Sequence, residues 1–205
     1  MQRGTDFSIM LGRVELMNSR MSGSEEALAD LACERLVERR RPRILVGGLG
    51  MGFTLRRLLG QLGPEASVEV AELVPAIVEW GRGPLAGLFG DCLDDPRVAV
   101  TIRDVGSAIR EARGLYDAIL LDVDNGPEGL TRAGNDALYD AAGLGAAFRS
   151  LRPGGVLAVW STAPDRAFAD RMRRSGLRVE EHRVRERGAK GGARHIVWTG
   201  IAPRG

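Results

Sequence analysis

Residues 43 to 52 read RILVGGLGMG. A short apolar run suited to a buried strand, Ile44 to Val46, ends in a cluster of glycines, and the apolar, helix-like segment FTLRRLLGQL begins at Phe53. That order is strand, glycine turn, helix. Gly48, Gly50 and Gly52 leave the backbone free to turn sharply and bring N–H groups close to a ligand, and the helix that follows presents the positive end of its dipole. About twenty residues further on, a second apolar run, Ser67 to Ala71, ends at Glu72, where folds of this kind place an acid on ribose hydroxyls. The spacing of glycine loop and acid predicts a nucleotide-like cofactor.

The chain has 205 residues, 44% of them hydrophobic, which suffices for one well-buried core and is short for two. Its 28 glycines sit at turns between apolar runs, a pattern of many short loops. No apolar run approaches the ~18 residues that cross a bilayer, and MQRGTDFSIM lacks the apolar core of a signal peptide, so a cytoplasmic protein with no membrane partner is expected. Cys33 and Cys92 are far apart and lack metal-ligand spacing, which predicts reduced core residues. The net charge is +2, but residues 166 to 194 hold ten Lys or Arg against four Asp or Glu. Such a basic end is one way to meet nucleic acid. With little aromatic interleaving, it reads instead as a solvated arginine-rich surface, and no nucleic-acid partner is expected.

Along the chain, short apolar runs alternate with helical segments, the pattern of a mostly parallel sheet covered by helices on both faces. Phe7 to Leu11 and Val14 to Met17 flank Gly12-Arg13 as a leading β-hairpin. Ser24 reads as the N-cap of a helix reaching about Arg40, closed by Pro42. Strands follow at Ile44 to Val46, Val68 to Ala71, Val98 to Ile102, Tyr116 to Leu121 and Val156 to Trp160. Leu177 to Val184 and His195 to Thr199 close the chain as an antiparallel hairpin around the loop RERGAKGGAR. Seven sheet strands ending in a hairpin fit a Rossmann-like class I methyltransferase architecture better than a dinucleotide dehydrogenase, whose second half would repeat the nucleotide-binding unit. The expected organisation is residues 1–42 as N-terminal hairpin and helix, then 43–205 as one compact cofactor-binding domain.

Two more strand ends carry acids. Asp104, in VAVTIRDVGSAIR, lies between a strand and a helix. It suits either an exocyclic amine such as that of adenine or the N-cap of the helix starting at Val105. In YDAILLDVDNGPEGL an apolar strand delivers Asp122, Asp124 and Asn125 into a Gly-Pro turn, at the edge where open parallel sheets bind ligands. Acids this close are costly to desolvate unless they bind a cation, share a proton or grip an amine, the alternative being an Asx-rich turn. No metal site is expected, because His182 and His195 lack ligand-like spacing and read as packing or surface residues. Trp80 and Trp198 read as core, and Trp160 with Ser161 as pocket wall. A serine elbow, a P-loop lysine and a Cys-His pair at recognisable spacing are all lacking.

These segments resemble the spermidine synthase-like branch of the class I S-adenosylmethionine-dependent enzymes. The likeness runs through the N-terminal hairpin, NSRMSGSEEALADLA, GGLGMG, VEVAELVP, TIRD, DAILLDVDNGP and LRPGGVLAVWS. It implies that Gly48, Gly50 and Gly52 approach the amino-acid part of the cofactor, that Glu72 holds the ribose and Asp104 the adenine, and that Asp122 and Asp124 face the sulfonium. It also implies a homodimer formed through the N-terminal parts. The chain departs from that pattern in three places. Gly50 stands where polyamine synthases carry the loop aspartate that holds the ammonium of the decarboxylated cofactor. DVDNGP is about two residues shorter than the Asp-Ser-Ser-Asp-Pro pattern with its Gly-Pro. Ser24 replaces the tyrosine that lines the diamine channel. The loss of the loop acid removes a like charge from the carboxylate of intact S-adenosylmethionine. The first expectation is therefore methyl transfer from S-adenosylmethionine to a small amine or other small nucleophile, with Asp122, Asp124 and Asn125 orienting it and accepting its proton. The alternative is aminopropyl transfer from decarboxylated S-adenosylmethionine, and a third reading is a non-catalytic nucleotide-binding module.

Overall fold

The computed structural model describes every residue except 5, 13, 124–135, 187–190 and 205. Its order is β1 (Gln2–Arg3), β2 (Asp6–Leu11), β3 (Val14–Asn18), α1 (Gly23–Cys33), β4 (Arg43–Gly47), α2 (Phe53–Leu59), β5 (Ser67–Glu72), α3 (Pro75–Arg82), α4 (Ala86–Phe89) and β6 (Val98–Ile102). There follow α5 (Val105–Glu111), β7 (Tyr116–Leu121), α6 (Asp136–Tyr139), α7 (Ala141–Ser150), β8 (Leu151–Ser161), α8 (Arg166–Arg174), β9 (Arg178–Arg185) and β10 (Arg194–Ile201).

Seven strands form one sheet in the order β6-β5-β4-β7-β8-β10-β9. The pairs from β6 to β8 are parallel, and β10 runs antiparallel to both β8 and β9. The expected Rossmann-like α/β sheet with its terminal hairpin is therefore the observed one. The chain builds outward from β4 through β5 to β6, then returns to the other side of β4 with β7. The glycine turn after β4 thus lies at the reversal of strand order, where such sheets open a crevice.

Alternation along β4 explains why helices cover both faces. Ile44 and Val46 point into a core with Leu28, Leu55, Leu58, Val68, Val70 and Phe89, while Leu45 joins Val105, Ile109, Ile119, Leu144 and Trp198 on the other side. In β7 all six residues are buried, and each of Ile119, Leu120 and Leu121 is at most 1% exposed. Burying side chains of this size contributes roughly 2 kcal/mol apiece. A buried acid, Asp117, anchors the amino-terminal ends of the central strands: it accepts from the Arg43 N–H at 2.8 Å and from Arg152 at 2.7 Å, and Arg39 lies 3.4 Å away.

Local readings differ from the structure in four places. The leading hairpin is part of a three-stranded sheet, because the two-residue β1, too short to show periodicity, pairs with β2. The first helix stops at Cys33 rather than near Arg40. Beyond it, i to i+3 bonds from Arg35, Leu36 and Arg39 tighten the backbone into turns, and Arg39 reaches the Pro153 carbonyl and Asp117, drawing the segment down to β4. Ser24 lies inside that helix; the N-cap is Ser22, whose side chain makes no capping bond. Trp80, expected in the core, is 40% exposed, whereas Trp198 is fully buried. Cys33 and Cys92 are buried free thiols, and burial pushes both up to about 11, which leaves them unreactive at neutral pH.

Candidate functional site

The carboxyl ends of four adjacent strands carry the candidate residues in spatial order: Asp104 after β6, Glu72 at the end of β5, the glycine loop after β4 and Asp122 after β7. Three strand spacings separate the outer two, about 14 Å, a span that suits a nucleoside with a short sulfur-bearing arm.

Glu72 braces the loop. Its carboxylate is buried and accepts the Leu49 N–H at 2.8 Å on Oε2 and the Val74 N–H at 2.7 Å on Oε1. Each oxygen retains a second lone pair, as ribose hydroxyls require. Across β5 and β6, Glu72 lies in register with Ile102. Ile102, Leu73 and Val74 are all exposed beside it and offer an apolar surface on which a flat ring can rest.

Three of the glycines are dictated by their neighbours. Gly48 has φ +86°, and a β-carbon there would lie 2.5 Å from the Asp122 carbonyl oxygen, so the close approach of loop and β7 requires its absence. Gly50 has φ +51°, and a β-carbon there would meet Met17 Cε at 2.7 Å and Sδ at 3.1 Å. The N-terminal sheet thus lays a thioether over the glycine loop. Gly52, also at positive φ, abuts the Phe89 ring in the same way.

Asp104 serves the helix: its Oδ1 accepts from the Ser107 N–H at 2.8 Å and the Ser107 hydroxyl at 3.1 Å, and Arg110 reaches the same oxygen at 3.3 Å. The capping alternative is the one these bonds display. All three meet one oxygen, so Oδ2 takes none of them.

Asp122 accepts the Thr54 hydroxyl on Oδ2 at 3.0 Å, and its own N–H donates to the Gly47 carbonyl. Thr54 stands on α2 and also lies 3.4 Å from the Glu25 carbonyl, which joins α1 to the cleft. Burial pushes the Asp122 carboxyl up to about 6, partly offset by Thr54. Burial, then the charge of Asp122, pushes Glu25 up to about 7, opposed by the hydroxyl of Ser24, which donates to Glu25 Oε2 at 2.7 Å. Among the described residues neither acid has a basic side chain paired with it. Ser24 in turn meets His195 Nδ1 at 3.1 Å, and the His195 ring packs edge-on against Trp160 at 4.8 Å. Asp124 and Asn125 lie outside the described residues.

Glu25, Thr54, His195 and Met17 were not legible as site residues, and Ser24 was marked only by the resemblance, as the replacement for the tyrosine of the diamine channel. Glu25 reads in sequence only as an acid in the first turn of a helix, and nothing local announces that α1 packs on α2. Of the ten basic residues between 166 and 194, Arg171 pairs with Asp165 and Arg173 with Asp170, while Glu180 of that tract pairs with Arg35 from elsewhere. Among the described residues no three His, Cys, Asp or Glu side chains are grouped to hold a metal ion, and no helix is long and apolar enough to cross a membrane.

The strand order, with acids at the carboxyl ends of adjacent strands, is that of the α/β fold of class I methyltransferases. Within that class the chain is similar to polyamine aminopropyltransferases and spermidine synthases. A polyamine aminopropyltransferase of Mycobacterium tuberculosis is 38% identical over 125 residues, 59% of this chain and 23% of that protein. The chain therefore matches less than a quarter of the length of that curated relative. Spermidine synthase from Thermotoga maritima superposes with a TM-score of 0.75 at 17% identity, covering 94% of this chain and 64% of that one. The Burkholderia thailandensis 1,6-didemethyltoxoflavin-N1-methyltransferase, solved with S-adenosylhomocysteine, does so with a TM-score of 0.59 at 20% identity, over 88% and 78%. No family model matches the chain.

Proposed function

We propose that this protein transfers a carbon group from the sulfonium of an S-adenosylmethionine-type cofactor to a small amine, with aminopropyl transfer from the decarboxylated cofactor as the first reading. The observation that carries it is the pairing of Asp122 with Glu25, two partly buried acids whose mutual charge no basic side chain among the described residues offsets. An ammonium group placed between them removes that penalty, and a neutral or anionic acceptor does not. The name of the mycobacterial relative supports the aminopropyl reading over the methyl reading that the glycine loop alone suggested.

The residues present suit such a cofactor. Glu72 would hold the ribose, the free oxygen of Asp104 the adenine amine, and Leu73, Val74 and Ile102 the ring face. When bound, the cofactor supplies an electrophilic carbon already activated by its positive sulfur. The protein's part is then positioning: Asp122, with Asp124 and Asn125 beyond it, would orient the acceptor nitrogen in line with that carbon and take its proton. Thr54 keeps the Asp122 carboxylate turned into the cleft.

Methyl transfer stays as the second reading on one observation, the Met17 thioether lying over Gly50 where polyamine synthases carry an aspartate. A thioether gives an ammonium no counter-charge and gives a carboxylate no repulsion.

Incubation with each cofactor form and 1,4-diaminobutane tests both. Methylthioadenosine as product, with tighter calorimetric binding of the decarboxylated cofactor, supports aminopropyl transfer. S-adenosylhomocysteine and tighter binding of the intact form support methyl transfer. Binding of neither rejects both and leaves a non-catalytic module.

A further inference from the structure

Transfer to an ammonium-bearing acceptor releases one proton. The acceptor R–NH3+ must give up a proton before its nitrogen pair attacks the carbon on the sulfonium. The C–N bond then forms, the C–S bond breaks, and sulfur keeps the electron pair as a neutral thioether. Two positive charges enter and one remains on the product ammonium, so the other leaves as the proton. Asp122 stands at the end of the fully buried strand β7, and a proton taken up there needs a route to the surface.

A hydrogen-bonded chain begins at Glu25, whose carboxyl feels the charge of Asp122. Glu25 shares the cleft with Asp122; Ser24 Oγ donates to Glu25 Oε2 at 2.7 Å; and Ser24 Oγ lies 3.1 Å from His195 Nδ1. A serine hydroxyl has one proton to give. While it donates to an ionised Glu25 it can only accept from His195, which fixes the Nδ1–H tautomer. Once Glu25 carries the proton, the row can reverse: Glu25 donates to Ser24, and Ser24 donates to an unprotonated Nδ1. Ser24 is 1% exposed, so water cannot substitute for either partner at the hydroxyl, while His195 is only half-buried and opens the far end.

We propose that Glu25, Ser24 and His195 form a proton relay that carries the acceptor's proton from the cleft to the surface. The assignment rests on the transfer to an amine proposed above. Glu25 and Asp122 form the receiving end, Ser24 is a positioning residue that passes the proton without changing charge, and His195 is the exit. The groups that face the chain are compatible with this direction. Asp122 from the end of β7 and Glu186 from the turn after β9 face Glu25 and raise its affinity for a proton. Glu186 also faces His195 and supports its charged form, whereas burial of the ring against Trp160 opposes it. A half-buried imidazole held below its ordinary value releases a proton readily, as an exit must.

Nitrogen-15 NMR of histidine-labelled protein reads the wire directly. The chain has only two histidines, so a His182→Gln variant assigns the signals. The expected result is an Nδ1–H tautomer of His195 at pH 8 that shifts toward Nε2–H as the pH falls through about 7, and a Glu25→Gln variant in which that shift disappears. A tautomer indifferent both to pH and to Glu25→Gln overturns the relay. Turnover with 1,4-diaminobutane supplies the second arm. His195→Ala should lower kcat at least tenfold without weakening calorimetric binding of the cofactor, and added imidazole should restore part of it. Unchanged kcat overturns the relay, as does a loss that imidazole leaves untouched in a variant of wild-type melting temperature. Should wild-type protein form no thioether nucleoside while the tautomer shift is present, the transferase reading fails and the relay's catalytic role with it, leaving only the wire.

Discussion

Met17 of the N-terminal sheet and Gly50 of the glycine loop are in contact: a β-carbon on Gly50 would lie 2.7 Å from Met17 Cε. Under the proposed function, these two segments, far apart in the chain, would act together in choosing the cofactor's charge. Gly50→Asp alone adds atoms into the thioether and strains a backbone at positive φ, at a cost of about 1–3 kcal/mol. Combined with Met17→Ala, which clears the space, the substitution should recover most of that stability. The double variant should also shift relative affinity at least tenfold toward the decarboxylated cofactor. Calorimetric titration with both forms measures the ratio, and an unchanged ratio sinks the assignment of this contact to specificity.

Glu72→Gln should weaken cofactor binding and loop stability together. The amide has one oxygen where the carboxylate has two, so either the Leu49 or the Val74 N–H meets an NH2 group and is left without an acceptor. An orphaned buried donor costs about 1–3 kcal/mol, enough for a loss of roughly tenfold or more in affinity. A variant that binds cofactor like the wild type would show that Glu72 serves neither role.

The Glu25–Asp122 pair makes stability depend on pH with a definite sign. Both acids have folded-state values above their ordinary ones, about 7 and about 6, so the folded state holds protons that the unfolded chain has released. Stability is then highest below about pH 4 to 5 as far as this pair is concerned and falls as the pH rises to about 7. Glu25→Gln should flatten that fall and raise the melting temperature at pH 8 by several degrees, since ~1 kcal/mol corresponds to about 2–4 °C at this chain length. Melting curves from pH 5 to 8 test it; a steeper fall in the variant contradicts the pairing.

Asp124→Asn should spare cofactor binding and depress turnover, because this acid is proposed to face the acceptor and not the nucleoside. Equal loss of both would place it in the cofactor site instead.

At the amino-terminal ends of the central strands, Asp117→Ala should be among the most damaging single changes. It leaves Arg152 and Arg39 without their acid and the Arg43 N–H without an acceptor in a nearly closed environment. Removing one partner of a buried ion pair costs about 3–5 kcal/mol. The melting temperature should drop by roughly 6 °C or more, with no change in cofactor preference beyond the loss of folded protein.

The amino-acid sequence by itself determined the sheet. Its strands alternate or run apolar without break, its glycines sit where the chain must reverse, and its acids Glu72, Asp104 and Asp122 fall at strand ends or within two residues of them; periodicity and turn chemistry are local, so they are readable locally. For the same reason the capping bond of Asp104 was foreseen beside its ligand role. Only the tertiary structure decided which residues share the crevice. Glu25, Ser24 and His195 are brought together by packing of α1 across α2, β8 and β10, and Met17 reaches Gly50 only because the N-terminal sheet folds back over the loop. None of these contacts leaves a periodic trace, since a side chain that meets a partner from 171 residues away, as His195 meets Ser24, obeys the geometry of the folded core and not that of its neighbours in sequence.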